Sequence, residues 1–170
     1  MKLLRVGEFG KEKPAALDKN GKIRDLSKHI KDFDHSTLNF STLETLKKVN
    51  LETLPEVTSS ARIGSCIAKP GKFLAVGLNY SDHAAETNAE IPKEPIIFNK
   101  AANCMVGPND NIILPKASKK LDWEIEIAFV VGKNTKYITE KEAPDHILGY
   151  CMVNDISERE WQIEKLGQWV

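Results

Sequence analysis

Hydrophobic and polar residues alternate along segment 123–131, and this alternation predicts a β-strand with two unlike faces. Glu124 and Glu126 share one face of that strand, while Ile125 and Ile127 point to the other. Apolar runs of similar length predict further strands at positions 73–78, 96–99, 111–114 and 148–154. Only short helices fit between these runs, so the pattern favours a β-rich α+β domain over a doubly wound α/β domain.

The N-terminal part of the chain has its own pattern of strands and turns. A strand is predicted at positions 2–9, and the Asn20-Gly21 pair predicts a tight turn between apolar runs at 15–17 and 23–26. A change in composition between residues 59 and 72 ends in Pro-Gly and indicates a domain boundary. We therefore expect a small N-terminal domain at 1–65 and a larger domain at 66–170.

Ser/Thr-x-x-Glu patterns predict where helices begin, since such a pair can cap the first turn from both sides. Ser41 and Glu44 precede a short helix with apolar positions at Leu43, Leu46 and Val49. The same pattern recurs at 139–142 and 157–160.

The overall charge balance excludes some classes of partner. Lysine plus arginine equal aspartate plus glutamate at 24 each, so no net field favours nucleic acid or an acidic membrane. No run is long and apolar enough for a membrane span, and Arg5 and Glu8 interrupt any signal-peptide core. Cys66, Cys104 and Cys151 are widely spaced in apolar surroundings, which predicts buried free thiols in a reducing cytoplasm.

Two carboxylates on one strand face suggest a cation site. Glu124 and Glu126 repel one another and lose hydration on an inner face, and a bound cation removes that cost. Oxygen ligands suit Mg²⁺, Mn²⁺ or Ca²⁺. The alternative is a solvated edge, in which the glutamates merely alternate with a buried apolar row.

A second candidate group lies after the apolar run at 73–78, in the segment Asn79-Tyr80-Ser81-Asp82-His83-Ala84-Ala85-Glu86. If a short helix begins near Ser81, His83 and Glu86 lie on one face of it and can meet. A carboxylate raises the base strength of a neighbouring imidazole, so the pair could take a proton from water. The alternative is a surface His–Glu pair.

Several motifs occur in an order that resembles the fumarylacetoacetate hydrolase family of metal-dependent enzymes. They are the His83 segment, the Glu124–Glu126 segment, Tyr150-Cys151-Met152-Val153-Asn154-Asp155, Pro95-Ile96-Ile97-Phe98-Asn99-Lys100, Val106-Gly107-Pro108-Asn109-Asp110 and Ser157-Glu158-Arg159-Glu160-Trp161-Gln162. They cover the chain from about residue 72 to its end. The resemblance implies the mixed β-roll core of the family, incomplete here, preceded by a small N-terminal domain.

The resemblance also implies roles for individual residues. Glu124, Glu126 and Asp155 would bind Mg²⁺ or Mn²⁺, with Ca²⁺ possible, and His83 with Glu86 would form the catalytic pair. Lys100, Arg159 and Gln162 would bind substrate. For Arg159 the alternative is a surface salt bridge within its helix, for example with Glu164.

The activity implied is hydrolysis of a C–C bond in a 2,4-diketo acid, such as an acylpyruvate or a diketo-deoxy sugar acid. Alternatives are an oxaloacetate-type decarboxylase, a ureidoglycolate lyase and an inactive metal-binding fragment. The inactive fragment is an alternative because the resemblance implies that the final segment continues, in the family, to an active-site lysine and threonine. We therefore expect a truncated chain. A cytoplasmic enzyme acting on a small keto acid is expected, homodimeric when full length, without nucleic-acid or membrane partners.

Overall fold

A three-stranded antiparallel sheet forms the N-terminal part of the protein. The computed structural model describes residues 1–165 and residue 167. Strand β1 (Lys2–Val6) pairs with β2 (Lys13–Leu17), which pairs with β3 (Ile23–Asp25). Gly21, in the turn between β2 and β3, has a φ of +77°, a conformation that glycine adopts without steric cost. The predicted hairpin is confirmed, and the first strand ends at Val6 rather than at residue 9.

One helix packs its apolar side against this sheet. Helix α1 (Phe40–Lys47) places Leu46 in a buried cluster. Its N-cap is Asn39, whose side-chain oxygen accepts a hydrogen bond from the Thr42 N–H at 2.9 Å. The predicted capping box at Ser41 is therefore wrong: the asparagine two residues earlier satisfies the free N–H of the first turn. Val49 lies beyond the end of the helix.

The second half of the chain is built from antiparallel strand pairs. Strand β4 (Leu74–Gly77) pairs with β5 (Ile96–Asn99), β6 (Leu121–Asp122) with β9 (Ser157–Glu158), and β7 (Ile125–Val131) with β8 (Ile147–Asn154). The remaining elements are short: helix α2 (Ser81–Glu86), 3₁₀ turns at Leu51–Thr53 and Ala143–His146, and a π-helical turn at Glu160–Glu164. The β-rich α+β class is confirmed.

Two predicted elements differ in the structure. Segment 111–114 forms no strand, and its three aliphatic side chains are exposed, Ile113 by 87%. Ser157 does not cap a helix; it lies buried in β9, where its hydroxyl donates to Glu124 at 3.2 Å. At 139–142 the predicted capping contact is present, since the Glu142 carboxylate accepts a hydrogen bond from the Thr139 N–H at 2.8 Å. The element that follows is a 3₁₀ turn and not an α-helix.

An ion-pair network joins the N-terminal sheet to the 107–110 turn. The Glu12 carboxylate contacts Arg62 at 2.7 Å and Arg5 at 3.3 Å. Arg62 also pairs with Asp110 at 2.5 Å, and Arg5 with Asp32 at 2.7 Å. The network thus crosses the proposed boundary at residue 65, and the division into two domains stays a prediction.

The β7–β8 pair has two unlike faces, as its sequence alternation predicts. On the outer face, each of five large apolar side chains is more than half exposed: Ile125, Ile127, Phe129, Tyr150 and Met152. On the inner face the side chains are half-buried, among them Glu126, Ala128, Cys151 and Val153. Glu124 immediately precedes β7 and is half-buried as well. This settles the orientation of Glu124 and Glu126, which lie on the better covered side.

The cysteines are less buried than the sequence predicts. Cys66 and Cys151 are half-buried and Cys104 is exposed. Within the described residues, none of the helices has the length and apolar character needed to cross a membrane.

Candidate active site

Three predicted acidic residues come together because β7 and β8 are neighbours. Glu126 lies opposite Val153 in the strand register, and Asp155 follows the end of β8. The Asp155 N–H donates to the Glu124 carbonyl at 2.8 Å, and the Glu124 N–H donates to the Asn154 side chain at 3.1 Å. These backbone contacts fix the start of one strand against the end of the other.

Two cationic side chains lie against these acids. The Lys100 ammonium is 2.5 Å from Asp155 Oδ1, and both side chains are largely covered. The Arg159 guanidinium is 2.5 Å from Glu124 Oε1 and also pairs with Asp122 at 3.0 Å. Lys100 reaches the site because it follows β5, whereas Arg159 follows β9.

Arg159 is also held by Gln162, whose side-chain oxygen accepts its hydrogen bond at 2.7 Å. The two residues are three apart and share one face of the turn, as the sequence predicts. The alternative of a salt bridge from Arg159 to Glu164 is not what the structure shows, since Glu164 pairs with Lys120. The ion pairs of Arg159 point instead into the acidic site.

Glu126 has an unusual electrostatic environment. Burial raises the pKa of its carboxyl group, and the negative charges of Glu124 and Asp155 raise it further. A hydrogen bond from the Asn79 side chain at 3.5 Å and the nearby His83 oppose this shift without cancelling it. The surroundings of Glu126 therefore favour its protonated form more than water does.

His83 and Glu86 both lie on α2, but only His83 faces the acids. His83 is half-buried and Glu86 is exposed. The described structure contains no hydrogen bond or ion pair between them; Glu86 is the last residue of the six-residue helix. The catalytic pairing of these residues stays a prediction.

The acidic site fits a hard divalent cation in its chemistry. The site contains four carboxylates and two cationic side chains, so the carboxylates outnumber the cations by two. The carboxylates are those of Asp122, Glu124, Glu126 and Asp155, and the cations are Lys100 and Arg159. Asp155 Oδ1 is buried and, among the described residues, has no hydrogen-bond partner beyond its ion pair with Lys100. Buried carboxylate oxygens of this kind are the ligands that Mg²⁺ and Mn²⁺ prefer.

The arrangement is not that of a ready metal site. Among the residues that the structure describes, no three acidic, imidazole or thiol groups are placed to hold a metal ion. Lys100 and Arg159 lie instead against two of the three carboxylates.

Sequence reasoning missed three contributors to the site. Asn79 contacts Glu126, Asp122 orients Arg159, and the Ser157 hydroxyl contacts Glu124. Asp122 continues the alternation of Glu124 and Glu126, and this was a signal that could have identified it. Asn79 follows directly on the apolar run before α2, the position from which strand ends present polar groups.

Comparison with known proteins identifies the family of the chain. The family profile described as fumarylacetoacetate (FAA) hydrolase C-terminal matches residues 72–170. A protein of Burkholderia ambifaria, named a putative hydrolase, is 51% identical over 169 residues, covering 99% of this chain and 60% of the relative. The chain thus spans about 60% of the length of the curated relatives it matches.

Solved structures share the fold. The fumarylacetoacetate hydrolase of Exiguobacterium antarcticum superimposes with a TM-score of 0.76 at 26% identity, covering 98% of this chain and 60% of that one. A 5-carboxymethyl-2-hydroxymuconate delta-isomerase of Mycobacterium smegmatis gives 0.70 at 28% identity, covering 100% and 59%. On the profile match and the curated relatives together, the chain belongs to the fumarylacetoacetate hydrolase family.

Proposed function

We propose that the chain carries the acidic site of a divalent-metal-dependent hydrolase that cleaves a C–C bond in a 2,4-diketo acid. The observation that supports it most is that Glu124, Glu126 and Asp155 lie together where β7 begins and β8 ends, so that the charges of Glu124 and Asp155 act on Glu126. Family membership supports an enzyme of this general type.

The three carboxylates would hold Mg²⁺ or Mn²⁺. When bound, the ion supplies Lewis-acid stabilisation of the negative charge that develops on substrate oxygens. Glu126 then loses the repulsion that raises its pKa, because the cation provides the missing positive charge. The excess of carboxylates over cations in the site is thereby balanced.

The cationic side chains would bind the substrate. The Arg159 guanidinium presents paired N–H donors that match a carboxylate, and Asp122 and Gln162 hold its plane in position. Lys100, which pairs with Asp155, offers a second positive charge. An anionic keto acid can replace the protein carboxylates as the partner of either group.

His83 would act as the general base that takes a proton from water. Its side chain is half-buried and lies near that of Glu126. Glu86 would assist by orienting the imidazole, which requires a change in the exposed carboxylate's rotamer. The base must lie within hydrogen-bond reach of the water that it deprotonates.

The similarity to a solved isomerase favours a second candidate reaction. The Mycobacterium smegmatis delta-isomerase is 28% identical over the whole of this chain. Isomerisation of an unsaturated keto acid and C–C hydrolysis both develop negative charge next to a carbonyl group. The same acids and cations could therefore serve either reaction.

Calorimetric titration with Mg²⁺ or Mn²⁺ tests the metal site. One site is expected for the wild-type protein, and Glu126→Gln should weaken binding by at least about 100-fold, since outer ligand contacts alone change affinity 10–100-fold. Glu140→Gln, which alters an exposed glutamate, is the matched control. Equal binding by the wild-type protein and Glu126→Gln would refute the ligand assignment.

Turnover assays with an acylpyruvate, oxaloacetate and an unsaturated hydroxy-keto diacid then separate the reactions. His83→Ala should lower turnover by about 10²–10⁴-fold, the usual contribution of a general base, and leave metal affinity nearly unchanged. Loss of metal together with activity would make His83 a ligand instead. Metal binding without turnover of any of the three substrates would favour the metal-binding remnant over the enzyme.

A further inference from the structure

The side chain of Lys100 enters the acidic site and is held there by a single acid. Its ammonium group lies 2.5 Å from Asp155 Oδ1, and the two side chains are only 17% and 13% exposed. The Lys100 N–H donates to the Phe73 carbonyl oxygen at 2.8 Å, which fixes the backbone beside the start of β4. Among the residues that the structure describes, no second carboxylate lies within ion-pair distance of Lys100. The flexible four-carbon stem of a lysine lets the ammonium group move while this backbone contact stays in place.

Arg159, the other cation of the site, is held by three side chains instead of one. Its guanidinium group contacts Glu124 at 2.5 Å, Asp122 at 3.0 Å and Gln162 at 2.7 Å. If a ligand took one of these partners, the other two would still keep the guanidinium group in position. Lys100 would lose its one acidic partner among the described residues, so it is the cation that can leave.

Asp155 is placed so that one oxygen must serve whichever cation is present. Its Oδ1 is buried and, within the described part of the chain, has no hydrogen-bond partner beyond the ion pair with Lys100. The Asp155 N–H donates to the Glu124 carbonyl oxygen at 2.8 Å, so the backbone of the acid is fixed. A buried carboxylate without a positive partner is unfavourable. A divalent ion can bind several carboxylates at once, which a lysine ammonium group paired with one aspartate does not do.

We propose that Lys100 is an internal competitor of the divalent ion, pairing with Asp155 in the metal-free protein and leaving it when the ion binds. The inference rests on the metal site proposed above and assigns the group that neutralises Asp155 before the ion arrives. Release from Asp155 makes the ammonium group available to an anionic keto acid, so the ion must bind before substrate can engage Lys100. The alternative is a permanent structural salt bridge.

Calorimetric titration of Lys100→Met with Mg²⁺ tests the competition. Methionine keeps an unbranched stem and removes the charge. Apparent affinity falls with the fraction of molecules able to bind, so pairing in about nine-tenths of the molecules weakens binding about tenfold, and Lys100→Met should recover that factor. Lys116→Met, which alters an exposed lysine, should bind like the wild-type protein.

The outcomes separate this inference from the metal site on which it rests. Mg²⁺ binding by Lys100→Met that is equal to or weaker than wild-type binding would overturn the competition and leave the metal site standing. Absence of Mg²⁺ binding in the wild-type protein and in both variants would refute the metal site, and the inference with it.

Thermal unfolding gives a second readout that a permanent salt bridge would not produce. Without Mg²⁺, Lys100→Met leaves the Asp155 carboxylate unpaired and should lower the Tm by at least about 4 °C. Saturating Mg²⁺ should remove most of this difference, because the ion then partners Asp155 in both proteins. The same Tm difference with and without Mg²⁺ would show a structural salt bridge and overturn the proposal.

A measurement on the wild-type protein covers the case in which Lys100→Met does not fold. Limited acetylation with acetic anhydride, read by peptide mass spectrometry, reports how accessible each lysine is. Mg²⁺ should speed the acetylation of Lys100 relative to that of the exposed Lys116, since Lys100 is then released from Asp155. An unchanged ratio of the two rates at saturating Mg²⁺ would overturn the proposal.

Discussion

Replacement of Glu12 by glutamine tests whether the ion-pair network stabilises the fold. The Glu12 side chain is only 6% exposed and bridges Arg62 and Arg5. Glutamine keeps one oxygen for Arg62 but turns an amide N–H₂ group towards Arg5. The substitution therefore removes a buried negative charge between two guanidinium groups and changes little else in shape.

The cost follows from what each arginine retains. A hydrogen bond to a charged group contributes about 1.5–3 kcal/mol, and stranding a buried charge costs about 3–5 kcal/mol. Neither arginine is stranded here, because Arg5 keeps Asp32 and Arg62 keeps Asp110. We expect Glu12→Gln to lower the free energy of unfolding by about 2–3 kcal/mol, or the Tm by about 4–12 °C for a chain of this size.

The loss should depend on pH in a defined direction. Burial alone would raise the pKa of Glu12, but the hydrogen bond from Arg62, backbone donors and the charge of Arg5 lower it overall. A carboxyl group with a lowered pKa in the folded state stabilises the protein above its unfolded pKa, about 4.3, and loses that effect as the pH falls through the folded value. The difference between wild type and Glu12→Gln should thus be full at pH 7 and shrink below about pH 4.

Denaturant unfolding at a series of pH values measures this difference. Glu8→Gln is the control, since the Glu8–Lys11 pair is almost fully exposed and such pairs contribute about 1 kcal/mol or less. A Glu12→Gln protein within about 0.5 kcal/mol of wild type at pH 7, where surface substitutions usually fall, would refute the reasoning. So would a difference that stays constant down to pH 3.

Two further substitutions test other contacts. Gly107→Ala would place a Cβ in steric conflict with the Ile63 carbonyl oxygen, so it should displace the 107–110 turn and lower the unfolding midpoint. Gly71→Ala, with open space around it, should leave the midpoint unchanged, and equal midpoints for the two variants would contradict the packing. Arg159→Met removes the guanidinium group that pairs with Glu124. It should tighten Mg²⁺ binding by about tenfold in calorimetry, because a positive charge beside the site repels the ion. The same Mg²⁺ affinity in Arg159→Met and in the exposed control Lys116→Met would refute this.

Elements that depend on local pattern could be predicted from the sequence. The alternation at 123–131 gives both the strand and the orientation of Glu124 and Glu126, because the two-residue period of a strand assigns every side chain to a face. The turn at Asn20-Gly21 likewise depends on nearby residues only: Gly21 has a positive φ, and the Asp18 carboxylate accepts hydrogen bonds from the Asn20 and Lys22 N–H groups. Lys100, Arg159 and Asp155 were identified through the resemblance, and the structure places Lys100 against Asp155 and Arg159 against Glu124.

Features that depend on contacts distant in sequence could not be predicted in this way. Segment 111–114 has the composition of a strand, but among the described residues no neighbouring strand pairs with it. The sequence predicts Ser157 as a helix cap, but its hydroxyl donates a hydrogen bond to Glu124, which is 33 residues away in the sequence.

The antiparallel register of β7 and β8 decides whether there is an acidic site at all. Glu126 lies opposite Val153 and Ile127 opposite Met152, so acids and large apolar groups occupy opposite sides of one ladder. A slip by a single residue would exchange the sides, moving Glu126 into solvent and placing isoleucine and phenylalanine side chains beside Lys100. The irregularity in pairing at Val130–Val131 interrupts the ladder and opposes such a slip. A one-residue deletion between Glu126 and the bulge would therefore be as damaging to the site as loss of a carboxylate.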